Sequence, residues 1–76
     1  MLTLSNLEFN NYLKSLCIEV DDRSIIAQDG VGIVCELNTR TEQVERIEEV
    51  AMIDRVEFKL NETQQQQLIN YVAQDA

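Results

Sequence analysis

Carboxylates make up most of the reactive side chains in this 76-residue chain: 14 Asp and Glu stand beside six Lys and Arg, two Cys and no His. A pair of carboxylates can serve as general acid and base, but only where their surroundings push their pKa values apart. Nothing in the spacing singles out such a pair. The lack of His removes Ser-His-Asp and Cys-His nucleophile systems and every His-containing zinc or iron site. Cys17 and Cys35 stand alone and far apart in sequence, and two thiolates cannot complete a four-ligand zinc site within one chain. Two glycines, Gly30 and Gly32, are too few for a phosphate-cradling loop, which needs several at fixed offsets. The expectation is a protein that is not an enzyme and uses no cofactor and no metal.

What remains is charge. The formal net charge is −8, with six carboxylates against two cations in residues 1–38 and eight against four in residues 39–76. Lys14, Arg23, Arg40, Arg46, Arg55 and Lys59 are scattered, each with acidic neighbours. Direct binding of DNA or RNA requires a positive stripe that displaces counterions from phosphate, and an anionic membrane selects the same sign of charge. Both are disfavoured.

A hydrophobic content of 45% is too high for a disordered acidic tail. No apolar run approaches the ~20 residues of a membrane-spanning helix, and no signal-peptide pattern opens the chain. Small disulfide scaffolds usually carry four or more cysteines, so two free thiols and a reducing, cytoplasmic compartment are expected. No linker or repeat divides the sequence, and residues 1–76 read as a single domain. A chain this short buries only about 60% of its unfolded surface, which favours a partner or a second copy.

The elements that must position these groups follow from periodicity. Ser5 and Glu8 have capping-box spacing, and Leu4 with Phe9 that of a hydrophobic staple. Phe9, Tyr12, Leu13 and Leu16 then recur at i, i+3, i+4 and i+7, which predicts a helix over Ser5–Leu16. Ile18–Val20 alternates and ends on Asp21-Asp22-Arg23, a turn composition. Ser24–Gln28 carries β-branched Ile25 and Ile26, and Asp29-Gly30 predicts a type I′ hairpin turn. The third strand, Val31–Leu37, places Val31, Ile33, Cys35 and Leu37 on its buried face. Val34, together with Ile26 and Cys17, is assigned to the opposite face. Gly32 marks a bulge or a close backbone approach.

Residues 39–53 admit two readings. Thr39 and Glu42 repeat the capping-box spacing, Val44, Ile47, Val50 and Ala51 share one side of a helical wheel, and Glu42, Glu45, Glu48 and Glu49 share another. A helix is the better-patterned reading, because a strand would mix Val44, Arg46, Glu48 and Val50 on one side. A twisted edge strand is the alternative. Val56, Phe58 and Leu60 then alternate with charged residues, predicting a half-buried strand over Arg55–Leu60 that could start as early as Met52. Asn61 and Gln64 cap a last helix, Glu62–Gln74, with Leu68, Ile69, Val72, Ala73 and Ala76 as its apolar stripe and Gln64–Gln67 as exposed first turns. The fold class is α+β: a small, mostly antiparallel sheet of about four strands with N- and C-terminal helices packed on one face. The other sheet face is left partly open, and exposed apolar surface on a small domain is usually an interface.

A strongly negative surface keeps a small protein soluble. It also complements the Lys and Arg side chains with which another protein holds nucleic acid. The expected partner-binding residues are Glu42, Glu45, Glu48 and Glu49 as a phosphate-mimicking arc, supported by Asp21, Asp22 and Asp29 at hairpin tips. In size and charge the chain resembles the small phage-encoded anti-CRISPR and anti-restriction inhibitors, which implies a basic, nucleic-acid-handling protein as the partner. The order of elements also resembles the acidic, dimeric type III secretion chaperones, although those are longer and carry a further strand before the last helix. That likeness implies an adaptor and leaves a homodimer open. A structural subunit of a phage-type assembly is a third reading.

Overall fold

The computed structural model describes residues 2–74. Its elements are β1 (Leu2–Thr3), α1 (Asn6–Ser15), β2 (Cys17–Val20), β3 (Ser24–Gln28), β4 (Ile33–Asn38), β5 (Gln43–Ile47), β6 (Val50–Ile53), β7 (Val56–Lys59) and α2 (Glu62–Ala73). Four strands form an antiparallel sheet in the order β2-β3-β4-β5. A second sheet, β1-β7-β6, pairs β6 and β7 antiparallel and β1 parallel to β7. The class is α+β, as expected. The fourth strand of the larger sheet is β5, however, and the segment after Arg55 belongs to the smaller one.

Helix α2 lies across β3, β4 and β5, and α1 packs against α2. Cross-strand pairs Ile25 with Leu37 and Ala27 with Cys35 line the face under α2, and Val44 and Ile47 extend that row onto β5. Alternation sends Cys17, Ile26, Glu36 and Arg46 to the face away from the helices. Leu4, Phe9, Ala51, Leu60, Leu68 and Val72 complete one core that joins both sheets and both helices.

Both helix starts form as their sequences dictate. The Ser5 side chain accepts from the Glu8 N–H, and the Glu8 carboxylate accepts from the Ser5 N–H, each at 3.2 Å. Leu4 and Phe9 flank this box and are both buried. Asn61 and Gln64 form the equivalent box on α2. Gln64 does not sit in an exposed turn: it is 4% exposed, and its amide donates to the Leu4 carbonyl at 3.1 Å. Of the apolar stripe, Leu68 and Val72 are buried and Ala73 is exposed, while Ala76 lies outside the described residues.

The helix read into residues 39–53 is not formed. Asn38 takes the cap position, with its Oδ1 accepting from the N–H groups of Arg40 and Thr41 at 2.9 and 3.1 Å. One helical turn follows, closed by the Glu42 N–H on the Asn38 carbonyl, and Glu42 ends it by adopting φ 57°. The chain then runs as β5 and β6. A bulge explains the misleading pattern. Leu37 pairs with Val44 and Glu36 with Arg46, so Glu45 is an extra residue on β5. The insertion puts Val44 and Ile47, three residues apart, on the same side of the sheet, which imitates a helical period.

Turn chemistry is also redistributed. Neither glycine has positive φ, so Asp29-Gly30 is not a type I′ turn. The Asp29 carboxylate shapes that loop instead, its Oδ1 accepting from the N–H groups of Val31 and Gly32 at 2.8 and 3.0 Å. The adjacent bulge falls at Val34, opposite Ala27 and Gln28, and not at Gly32. Val31 therefore lies in the loop, 68% exposed, and Val34 is buried. Positive φ at both central residues occurs at Asp54 (51°) and Arg55 (66°), the two-residue turn between β6 and β7.

Cys17 is exposed and Cys35 buried, and both are free thiols. Burial pushes the Cys35 thiol up to about 11. Among the described residues no helix is long and apolar enough to cross a membrane.

Candidate functional site

Strand positions divide the acidic residues between the two ends of the larger sheet. The β2–β3 turn carries Asp21 and Asp22, and the β4–β5 turn carries Glu42. Thr39 joins these turns, its N–H donating to the Arg23 carbonyl at 3.0 Å and its hydroxyl to the Asp22 carbonyl at 3.2 Å. Asp21, Asp22 and Glu42 thus share one end. Asp29, on the β3–β4 loop, lies at the other end and lines a groove with Glu48. Glu45 sits on β5 between the two ends, and Glu49 in the link to β6. The four glutamates expected on a helical arc are therefore not one arc, because the helix that would have aligned them is a bulged strand.

Four of the seven candidate carboxylates already hold donors of this chain. The Asp21 Oδ1 accepts from the N–H groups of Arg23 and Ser24 at 2.7 and 2.6 Å, which draws its carboxyl below the usual carboxylate range. Asp29 adds to its loop contacts a bond from the Tyr12 hydroxyl at 3.2 Å. Burial, then the Asp29 charge and that bond, raise the Tyr12 phenol above its ordinary value. Glu45 accepts from Asn38 Nδ2, and Glu48 pairs with Arg46, both at 2.8 Å. Asp22, Glu42 and Glu49 accept no side-chain or backbone hydrogen bond on their carboxylates among the described residues. Arg46–Glu48 is the single ion pair among those residues, so most carboxylates have no cationic partner.

The concave surface leaves no signature in the local pattern of residues. The β3–β4 loop and the β6–β7 hairpin flank a groove of about 370 Å³ whose lining includes Val31, Glu48, Val50, Met52 and Glu57. Alternation places Val31 on the buried face of its strand and Glu57 on the wet side of another, and neither position points to a groove. Their approach depends on the bend at Glu48-Glu49, where the Glu48 N–H bonds the Val34 carbonyl and the Leu60 N–H bonds the Glu49 carbonyl, both at 2.8 Å. No local pattern encodes that bend. Among the described residues no three side chains of His, Cys, Asp or Glu gather to hold a metal ion. The arrangement presents carboxylates beside apolar side chains, which suits binding of cationic groups with aliphatic stems. No protein family, curated protein or solved structure matches this chain.

Proposed function

We propose that this chain is a small, acidic, non-catalytic binding protein that occupies the basic nucleic-acid-binding surface of another protein and keeps nucleic acid off it, as inhibitors of the anti-CRISPR or anti-restriction kind do. The observation that carries the reading is a net charge of −8 on a folded chain of 76 residues with one internal ion pair among those described. Carboxylates at both ends of the sheet would meet Lys and Arg side chains that otherwise hold phosphates. Such complementarity acts mainly on the association rate and fades with salt. The cytoplasm, where both thiols stay reduced, is the compartment in which such a partner works.

The test is association with a partner captured from a nuclease-containing host lysate, measured across a salt series. Asp22→Lys, Glu42→Lys and Glu49→Lys together reverse three carboxylates that hold no donor among the described residues. At low salt the triple variant should associate about tenfold more slowly or worse, and the two rates should converge at high salt. Added DNA or RNA should compete with the wild type. A rate that depends on neither salt nor these charges reduces the acidity to a solubility device. A second reading, an adaptor that dimerises, is favoured by the edge strand β2, where Val20 is 56% exposed on the side that faces the helices and Cys17 is exposed on the other. It requires a dimer in sedimentation.

A further inference from the structure

The groove described above is one part of a longer track. A depression of about 300 Å³ against α1 shares Tyr12, Ser15 and Ile53 with a second of about 420 Å³. The second shares Asp29, Val31 and Met52 with the groove of about 370 Å³ on the side away from the helices. The three run in series from α1, between the β3–β4 loop and the β6–β7 hairpin, to the open sheet face. Along the track stand the carboxylates of Glu8, Asp29, Glu48, Asp54 and Glu57 against the guanidinium groups of Arg46 and Arg55.

We infer that this track seats an extended segment of the partner protein in which Lys or Arg alternates with aliphatic residues. The inference rests on the proposed inhibitory reading and names where the partner is held. Met52 and Glu57 are directly paired across β6 and β7, so their side chains stand together on the outer face of the smaller sheet. Glu57 is exposed and accepts no hydrogen bond among the described residues, and Val31 projects from the facing loop at 68% exposure. An apolar pair beside an unengaged carboxylate fits the stem and head of one Lys or Arg side chain. The excess of carboxylates selects a basic segment over an acidic one, and over a second copy that itself carries −8. An extended chain presents alternate side chains to opposite sides, which lets one set enter successive depressions while the other meets the rim.

The probe is a labelled peptide of alternating Lys and Val, with its Glu-for-Lys counterpart as control. Amide shifts in the isotope-labelled protein should concentrate at Ser15, Val31, Met52 and Glu57 and spare Asp22 and Glu42. Val31→Ser with Glu57→Lys should weaken the peptide about tenfold or more, with an unchanged melting curve, since both side chains are exposed. Glu42→Lys, at the far end of the sheet, should change affinity less than about twofold. Absence of peptide binding, equal binding of the Glu peptide, shifts centred on Asp22 and Glu42, or a double variant with wild-type affinity would each overturn the inference. A captured partner that binds with strong salt dependence but ignores the double variant leaves the inhibitory reading standing and removes the track. A peptide that seats in the track while no basic partner associates does the reverse.

Discussion

Replacing Gln64 with Ala should destabilise the fold by about 1.5–4 kcal/mol, because one amide closes two distant parts of the chain. Its Nε2 donates to the Leu4 carbonyl at 3.1 Å, while its Oε1 accepts from the Asn61 N–H at the same distance. The amide orientation is dictated by chemistry: a carbonyl needs the NH₂, and a backbone N–H needs the oxygen. Truncation leaves the buried Leu4 acceptor unsatisfied, which costs roughly 1–3 kcal/mol. Loss of the reciprocal arm of the capping box adds about 0.5–1 kcal/mol. Stabilities of 0.05–0.15 kcal/mol per residue put the whole domain at roughly 4–11 kcal/mol, so the loss is a large share. The melting temperature should fall by about 10–25 °C. Urea titration followed by circular dichroism gives the free energy directly. Gln67→Ala is the control, since the Gln67 side chain is exposed and makes no hydrogen bond among the described residues; it should stay within about 0.5 kcal/mol of wild type. Gln64→Glu should be more damaging at neutral pH than in mild acid, because only the protonated carboxyl can donate to Leu4. If Gln64→Ala matches Gln67→Ala, the long-range bond to Leu4 contributes nothing to stability and the fold does not depend on this closure.

Arg55→Gly should stabilise the protein by about 0.5–1 kcal/mol in thermal melts, because φ 66° in the β6–β7 turn suits Gly and disfavours a residue with a Cβ. In the native protein one thiol per chain, Cys17, should react promptly with a disulfide reagent, and Cys35 only after denaturant is added, since burial keeps it as the thiol. Tyr12→Phe should cost about 1 kcal/mol at neutral pH through the lost bond to Asp29. Because the folded phenol titrates above the unfolded value near ~10, its contribution is complete below that pH and lost as pH rises through the folded value. Phe at position 12 should therefore flatten the alkaline limb of the stability curve, and an unchanged limb would count against the assignment.

The features legible in the sequence are those decided within a few residues. Both capping boxes close on partners three positions away, so Ser5 with Glu8 and Asn61 with Gln64 announced the helix starts. Strand β3 is equally readable because β-branched Ile25 and Ile26 favour extended backbone whatever the register, and in the fold Ile25 and Ala27 are its buried residues. Residues 43–53 failed because their register is set by β4, a partner that no local window contains. The extra Glu45 shifts parity by one, and a period of two interrupted once looks like a period of three. The turns show the same competition. Asp-Gly is the stronger local hairpin signal, yet Asp29 finds three donors, two of them its own loop and one from α1, in a geometry without positive φ. Asp54-Arg55 accepts an unfavourable backbone instead, because the pairing of Ile53 with Val56 leaves two residues to reverse the chain. The candidate site inherits both effects. Total charge is a sum over residues and survives any error of fold, whereas a charged surface is a set of neighbours. Once the helix became two strands, Glu48 moved from the company of Glu45 to that of Val31, Met52 and Glu57. That exchange turns a plain acidic arc into an acidic rim around apolar side chains, a surface that can select which cations it holds as well as attract them.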